Sequence, residues 1–213
     1  MKLSEDMLTL YAVTDSSWLN GKTLAYQVEE ALSGGATAIQ LREKGLSFVP
    51  FLQKALELKE ICERYSVTFI INDNVEVTQA CRADGIHIGQ DDLDLARVRE
   101  ALGNDVIIGV SAQTVEQAKR AEAGGADYLG VGAVFSTATK LDADTVPIDV
   151  LREICASVSI PTVAIGGISG HNILKLKGTG IKGVAVVSAI FAEPDISGAS
   201  RRLKKLSLET VNL

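Results

Sequence analysis

The segment "AIQLREK", Ala38 to Lys44, places an amide, a guanidinium and an ammonium at alternate positions. On a strand, side chains alternate with period two. Gln40, Arg42 and Lys44 then share one face, and Leu41 and Glu43 share the other. A covered strand carries such a row only where its end meets water or an anion. Other groups able to do chemistry stand at the ends of further β-branched runs. "IIND" ends in Asn72 and Asp73, "HIGQDD" brings Asp91 and Asp92, and "VIIGVS" ends in Ser111. "STATK" supplies Thr137, Ala138, Thr139 and Lys140, while "AIGGIS" and "VVSAIF" supply Gly166, Gly167, Val187 and Ser188.

Each group suggests a use. Asp73 with Asp91 or Asp92 can hold Mg²⁺ through diphosphate oxygens, because Mg²⁺ usually takes only one or two protein carboxylates. A helix cap or a turn would account for any one of these carboxylates alone. The residues themselves do not choose between Asp91 and Asp92. Arg42 offers a planar fork to phosphate oxygens, and Lys44 and Lys140 offer point charges. A lone loop lysine is ordinarily solvated, but the small hydroxyl residues beside Lys140 suit a loop that wraps a ligand. The glycine and serine turns at the last two strands suit a second anion, bound by backbone N–H groups. His87 reads as a hydrogen-bonded interior residue and His171 as a surface one. Neither a Ser/His/Asp triad nor a metal-spaced histidine cluster is present. The residues thus suggest a diphosphate–Mg²⁺ site beside a monophosphate site. Such a pair suits an alkyl-type transfer with diphosphate leaving.

The elements that must position these groups are legible as eight short apolar runs. They are "LTLYAVT" (8–14), "ATAIQLR" (36–42), "VTFIIND" (67–73), "GIHIGQ" (85–90), "VIIGVS" (106–111), "YLGVGAVF" (128–135), "PTVAIGG" (161–167) and "GVAVVSAI" (183–190). Near-continuous apolar character marks parallel strands covered on both sides. Amphipathic segments lie between most of them. Phe51, Leu52, Ala55, Leu58, Ile61, Cys62 and Tyr65 recur at helical spacing after Pro50. Thr114 with Gln117 reads as a capping box, and the glycine pairs 34–35 and 124–125 read as helix ends. Pro147 opens a helix buried through Leu151, Ile154 and Cys155, and "GASRRLKKLSLETV" closes the chain as a surface helix. Eight strands alternating with helices predict an α/β fold, a (β/α)8 TIM barrel, as a single domain over 1–213. A doubly wound open sheet is the runner-up, but no GxGxxG follows the first strand. In a barrel the strand ends that carry the polar residues form the active-site face.

Composition sets the bounds. The chain has 213 residues, 46% hydrophobic and 23% charged, with a formal net charge of −6. That balance argues against nucleic acid as a partner, as do the few, scattered aromatic residues. The three cysteines show no CxxC spacing, and the N-terminus lacks the apolar core of a signal peptide. The expectation is a cytoplasmic chain with reduced thiols. No apolar run is long enough to span a bilayer, so no membrane partner is expected. The oligomeric state is open, a homo-oligomer included.

Taken together, "LYAVTD", "IQLREK", "FIINDNVEV", "ADGIHIGQDDL", "IIGVSAQT", "ADYLGVGAVFSTATK", "IPTVAIGGI" and "GVAVVSAI" resemble the thiamin phosphate synthase family. The match keeps its order through most of residues 8–191. The resemblance implies a transferase of thiamin biosynthesis that joins hydroxymethylpyrimidine diphosphate to a thiazole phosphate, carboxylated or not. It implies a pyrimidine diphosphate site at Gln40, Leu41, Arg42, Glu43, Lys44, Asn72, Ser111 and Lys140. Within that stretch, strand alternation gives Glu43 no role of its own. It further implies Mg²⁺ on Asp73 and Asp92, and a thiazole phosphate site at Thr137, Ala138, Thr139, Gly167, Val187 and Ser188. Lys140, Ser111 and Arg42 would carry catalysis. The implied reaction is dissociative, with diphosphate leaving before the thiazole nitrogen captures the cation, and it requires no general base.

Two positions depart from the pattern. Gln113 stands where many relatives carry His, and Ser136 stands where Pro often precedes the Thr pair. A thiazole tautomerase of the same fold is the nearest rival, but it has no use for the diphosphate apparatus. A Schiff-base aldolase using Lys44 or Lys140 would want a desolvated lysine rather than one among carboxylates. A non-catalytic barrel that senses a phosphorylated metabolite would bind without turnover.

Overall fold

The structure, a computed structural model, describes residues 3–89, 94–136 and 145–211. Eight parallel strands close into a barrel in sequence order: β1 Leu10–Val13, β2 Ala38–Leu41, β3 Thr68–Asn72, β4 Gly85–Ile88, β5 Ile107–Ala112, β6 Tyr128–Val131, β7 Thr162–Ile165 and β8 Gly183–Val186. The barrel closes through β1 and β8, where Tyr11 pairs with Ala185. Every expected strand is present; all are shorter than their apolar runs except β5, which keeps six residues and ends one position later, at Ala112. The open-sheet alternative is excluded by this closure.

Helices fill the crossovers: α1 Leu24–Ser33, α2 Phe48–Arg64, α3 Val75–Cys81, α4 Leu95–Leu102, α5 Val115–Ala123, α6 Ile148–Ser157, α7 Ser188–Phe191 and α8 Ile196–Val211. Between β7 and β8 only a short 3-10 helix, Ile173–Leu176, is formed. Polar side chains start several of these helices by accepting a free N–H of the first turn. Thr23 accepts from Tyr26 N, Asn74 from Val77 N and Asp94 from Ala96 N. Thr114 accepts from Gln117 N as expected, but the Gln117 side chain reaches Gln113 N, one residue short of a closed capping box. In the two glycine pairs the first glycine stays right-handed. The second, Gly35 at φ +101° or Gly125 at φ +89°, makes the left-handed exit.

Strand alternation produces two apolar layers. Leu10, Ala12, Ile39, Leu41, Phe69 and Ile71 face outward and pack against the helices. Tyr11, Val13, Ala38, Ile70, Ile107, Tyr128, Val163 and Ala185 face inward and fill the barrel. Both faces of each strand are thus covered, which is why the runs read as continuously apolar. Stitches at the N-terminal ends of the strands tie neighbours together. Thr37 Oγ1 accepts from Leu10 N, Asp84 from Phe69 N and Asp127 from Ile108 N. Each stitching residue immediately precedes β2, β4 or β6. Asp84 is also held by Lys59 at 3.0 Å, and Asp127 by Arg99 at 2.7 Å. These bonds rigidify one end of the barrel and leave the other end to a cavity.

Candidate functional site

A cavity of about 380 Å³ opens at the C-terminal ends of the strands. Gln40, Arg42 and Lys44 line one wall, and Asn72 and Asp73 continue it from β3. The alternation read from the sequence therefore holds past the end of β2. Leu41 is fully buried among the helices. Glu43 turns away, accepting from Ser16 Oγ at 2.5 Å and pairing with Lys54 at 2.8 Å. Neither Leu41 nor Glu43 is among the residues that line the cavity.

Arg42 is set by two groups from the end of β1. Its backbone N–H donates to Thr14 Oγ1 at 3.0 Å, and its guanidinium lies 3.7 Å from Asp15. Asp15 in turn caps the short helix that follows, accepting from Ser17 N. Asp73 follows β3 with φ +61°, a left-handed backbone that Asp tolerates better than most residues. Its N–H donates to His87 O, and Asn72 Nδ2 donates to its carboxylate. This turn aims the Asp73 carboxylate along the same wall as the cations.

The far wall is backbone. Gly166 and Gly167 both take positive φ, and Val187 and Ser188 follow as β8 leads into α7. A Cβ on Gly167 would lie 2.4 Å from Ser136 O, so this turn tolerates only glycine. The Asn172 amide donates to Gly167 O at 2.8 Å and fixes the turn. Asp91, Asp92, Thr137, Ala138, Thr139 and Lys140 lie outside the described residues. No cluster of three or more His, Cys, Asp or Glu able to hold a metal occurs among the described residues.

The floor of the cavity was not anticipated beyond Gln40, His87 and Ser111. Gln40 Nε2 donates to Tyr11 OH at 2.7 Å, Tyr11 OH meets Tyr128 OH at 2.9 Å, and Tyr128 OH meets His87 Nδ1 at 3.0 Å. His87 Nε2 then meets Ser111 Oγ at 3.0 Å. The chain of bonds runs from β2 across the barrel axis to β5. Burial pushes the phenol of Tyr11 well above its ordinary pKa and does the same to Tyr128, so both are neutral. Tyr11 and Tyr128 occupy inward positions in "LYAV" and "YLGV". Gly109, facing the Tyr128 ring, and Gly130, facing His87, were the available sign that large side chains cross the barrel here. His171 is exposed and remote from this floor.

The model of the family described as thiamine monophosphate synthase matches residues 10–190. The thiamine-phosphate synthase of Ruminiclostridium cellulolyticum is 50% identical over 198 residues, covering 93% of this chain and 94% of the relative. That of Clostridioides difficile is 50% identical over 190 residues, covering 89% of this chain and 90% of the relative. Among solved structures, thiamine phosphate pyrophosphorylase from Pyrococcus furiosus superposes with a TM-score of 0.90 at 38% identity, covering 98% and 99% of the two chains. A barrel of this connectivity, matched along nearly its whole length by sequence and by shape, leaves one assignment: the chain belongs to the thiamine monophosphate synthase family, and its activity is that transfer.

Proposed function

We propose that the barrel mouth binds hydroxymethylpyrimidine diphosphate along the β2–β3 wall and thiazole phosphate against the β7–β8 turns. One observation carries this reading. A row of cationic and amide side chains faces a glycine turn across a single cavity, so two anions can be held with their organic parts between them. Arg42 and Lys44 hold diphosphate oxygens, with Arg42 kept in place by Asp15 and Thr14. Gln40 and Ser111 orient the pyrimidine from the floor. Gly167, Val187 and Ser188 hold the thiazole phosphate through backbone N–H groups and a hydroxyl, and Thr137, Ala138 and Thr139 complete that subsite.

The donor set fits Mg²⁺. Asp73 offers a hard carboxylate on the cavity wall beside cations that would share the diphosphate. Asp92 is the second ligand in this reading. A bound Mg²⁺ supplies charge that stabilises the departing diphosphate. The chain's own residues do the rest. Lys140, Lys44 and Arg42 balance the charge that develops as the C–O bond breaks, and the walls hold the thiazole nitrogen in line with the carbon it attacks. No residue needs to remove a proton, which suits a site whose histidine is bound into the floor. The three free cysteines support a reducing, cytoplasmic setting, and no helix among the described residues is long and apolar enough to cross a membrane.

The experiment compares Asp92→Ala with Asp91→Ala in diphosphate release over a Mg²⁺ titration. Asp92→Ala is expected to abolish the Mg²⁺-dependent rate, and Asp91→Ala to keep most of it. Equal losses would remove Asp92 as a ligand.

A further inference from the structure

We infer that Asn172 is a positioning residue for the thiazole phosphate alone, its side-chain amide clamping the β7 turn so that the turn's backbone N–H groups are set for the anion. Asn172 is not among the residues that line the cavity. It stands immediately before the 3-10 helix Ile173–Leu176, where an asparagine ordinarily caps the N–H groups that follow it. Its side chain makes no such cap. Both ends of the amide reach back up the chain instead. Nδ2 donates to Gly167 O at 2.8 Å, and Oδ1 accepts from Ser169 N at 2.8 Å. One planar group thus ties two points of the turn together. The clamp is itself anchored. Ile173 and Leu176 are fully buried, and the N–H groups of Asn172 and Ile173 both donate to Ser169 O.

The turn needs an external hold. Gly166 at φ +96° and Gly167 at φ +63° are adjacent, and glycine is the residue whose backbone is least confined by its own sterics. A peptide unit is planar and trans, so its C=O and N–H point in opposite directions. Holding Gly167 O toward Asn172 therefore also fixes the direction of Ile168 N–H. Gly167 and Ile168 both line the cavity. Neither of their N–H groups has an acceptor among the described residues. Successive backbone N–H groups on such a turn form an anion-binding concavity. The amide of Asn172 acts on the anion only through this backbone, and the cationic wall on β2 and β3 lies across the cavity from it.

This inference rests on the reading that the β7–β8 turns hold the thiazole phosphate. The test is steady-state kinetics with Mg²⁺, varying each substrate in turn. Asn172→Ala removes both bonds, and Asn172→Leu removes them while nearly keeping the volume. Each variant is expected to raise the KM for thiazole phosphate by at least about tenfold, as loss of a hydrogen bond to a charged group does. The KM for the pyrimidine diphosphate should stay within about twofold of wild type. A merely structural role would lower Tm and leave the two KM values alone or move them together. A KM for thiazole phosphate within about twofold of wild type in either folded variant, a parallel rise in both KM values, or a loss confined to kcat overturns the inference. A second measurement needs no variant. In nitrogen-15 NMR of the wild type, saturation with thiazole phosphate should move both the Asn172 side-chain amide signal and the Ser188 backbone signal. Movement of Ser188 without Asn172 overturns the clamp. Movement of neither overturns the placement of thiazole phosphate on these turns instead.

Discussion

Gly109→Ala tests the packing under the site. A methyl group added at Gly109 would meet Tyr128 Cζ at 2.1 Å and Tyr128 Cε1 and OH at 2.4 Å. Carbon atoms in contact prefer about 3.5–4.0 Å, so the overlap exceeds an ångström. Relief by rotation is blocked, because Tyr128 is 1% exposed and bonded to both Tyr11 and His87. Relief by backbone movement would pull β5 from its pairing of Gly109 with Tyr128. Overpacking of a filled core costs about 1–3 kcal/mol, and the rigid ring puts Gly109→Ala near 3 kcal/mol. In a chain of this length that lowers Tm by about 6–12 °C. Urea unfolding followed by circular dichroism should show the midpoint fall with an unchanged slope. Gly130→Ala faces a longer contact of 2.9 Å to His87 Cε1 and should lose only about 1 kcal/mol. A loss below about 0.5 kcal/mol in Gly109→Ala would refute the placement of the Tyr128 ring, since that is the scatter of neutral substitutions.

Other perturbations separate the two faces of the segment after β2. Arg42→Gln should lower kcat/KM about ten- to hundredfold through loss of charge-assisted bonds, whereas Glu43→Gln, which faces Ser16 and Lys54, should change it less than about threefold. Burial lowers the pKa of Lys59, but its bonds and charge contacts with Asp84 and Glu63 outweigh that and raise it above 10.5. Its contribution to stability is therefore full below pH 10.5 and is lost as pH rises beyond it. Urea midpoints should fall more steeply with alkaline pH in the wild type than in Asp84→Asn, and parallel curves would contradict the assignment. Burial pushes Cys62 up to about 12 and Cys155 up to about 11, and it also raises Cys81. A colorimetric disulfide reagent at neutral pH should titrate Cys62 and Cys81 only after unfolding and half-buried Cys155 slowly before it, and fast reaction of Cys62 or Cys81 in the native state would contradict their burial.

Much of this molecule was legible in its sequence, and for identifiable reasons. The eight strands could be read because both of their faces are covered, which leaves an unbroken apolar signature such as "FII" in β3. The inward turn of Gln40, Arg42 and Lys44, and the outward turn of Glu43, followed from period two alone. Local rules served less well where the chain leaves regular structure. The crossover after β7, where the barrel pattern calls for a helix, folds only into a 3-10 helix at Ile173–Leu176. The floor of the site was hidden because its bonds link residues far apart in the chain. Tyr11 and Tyr128 are 117 positions apart, and nothing local to either one announces a partner across the barrel. Asp15 escaped notice for a related reason, since an acidic residue after a strand reads first as a turn or cap, and it is indeed one.

The most direct test of the two-anion account mixes hydroxymethylpyrimidine diphosphate, thiazole phosphate and Mg²⁺ with the 213-residue chain and quantifies diphosphate and thiamin phosphate together. The account predicts that both products form in equal amounts and that omitting either substrate or Mg²⁺ stops thiamin phosphate formation. No diphosphate release with all three components present would contradict it.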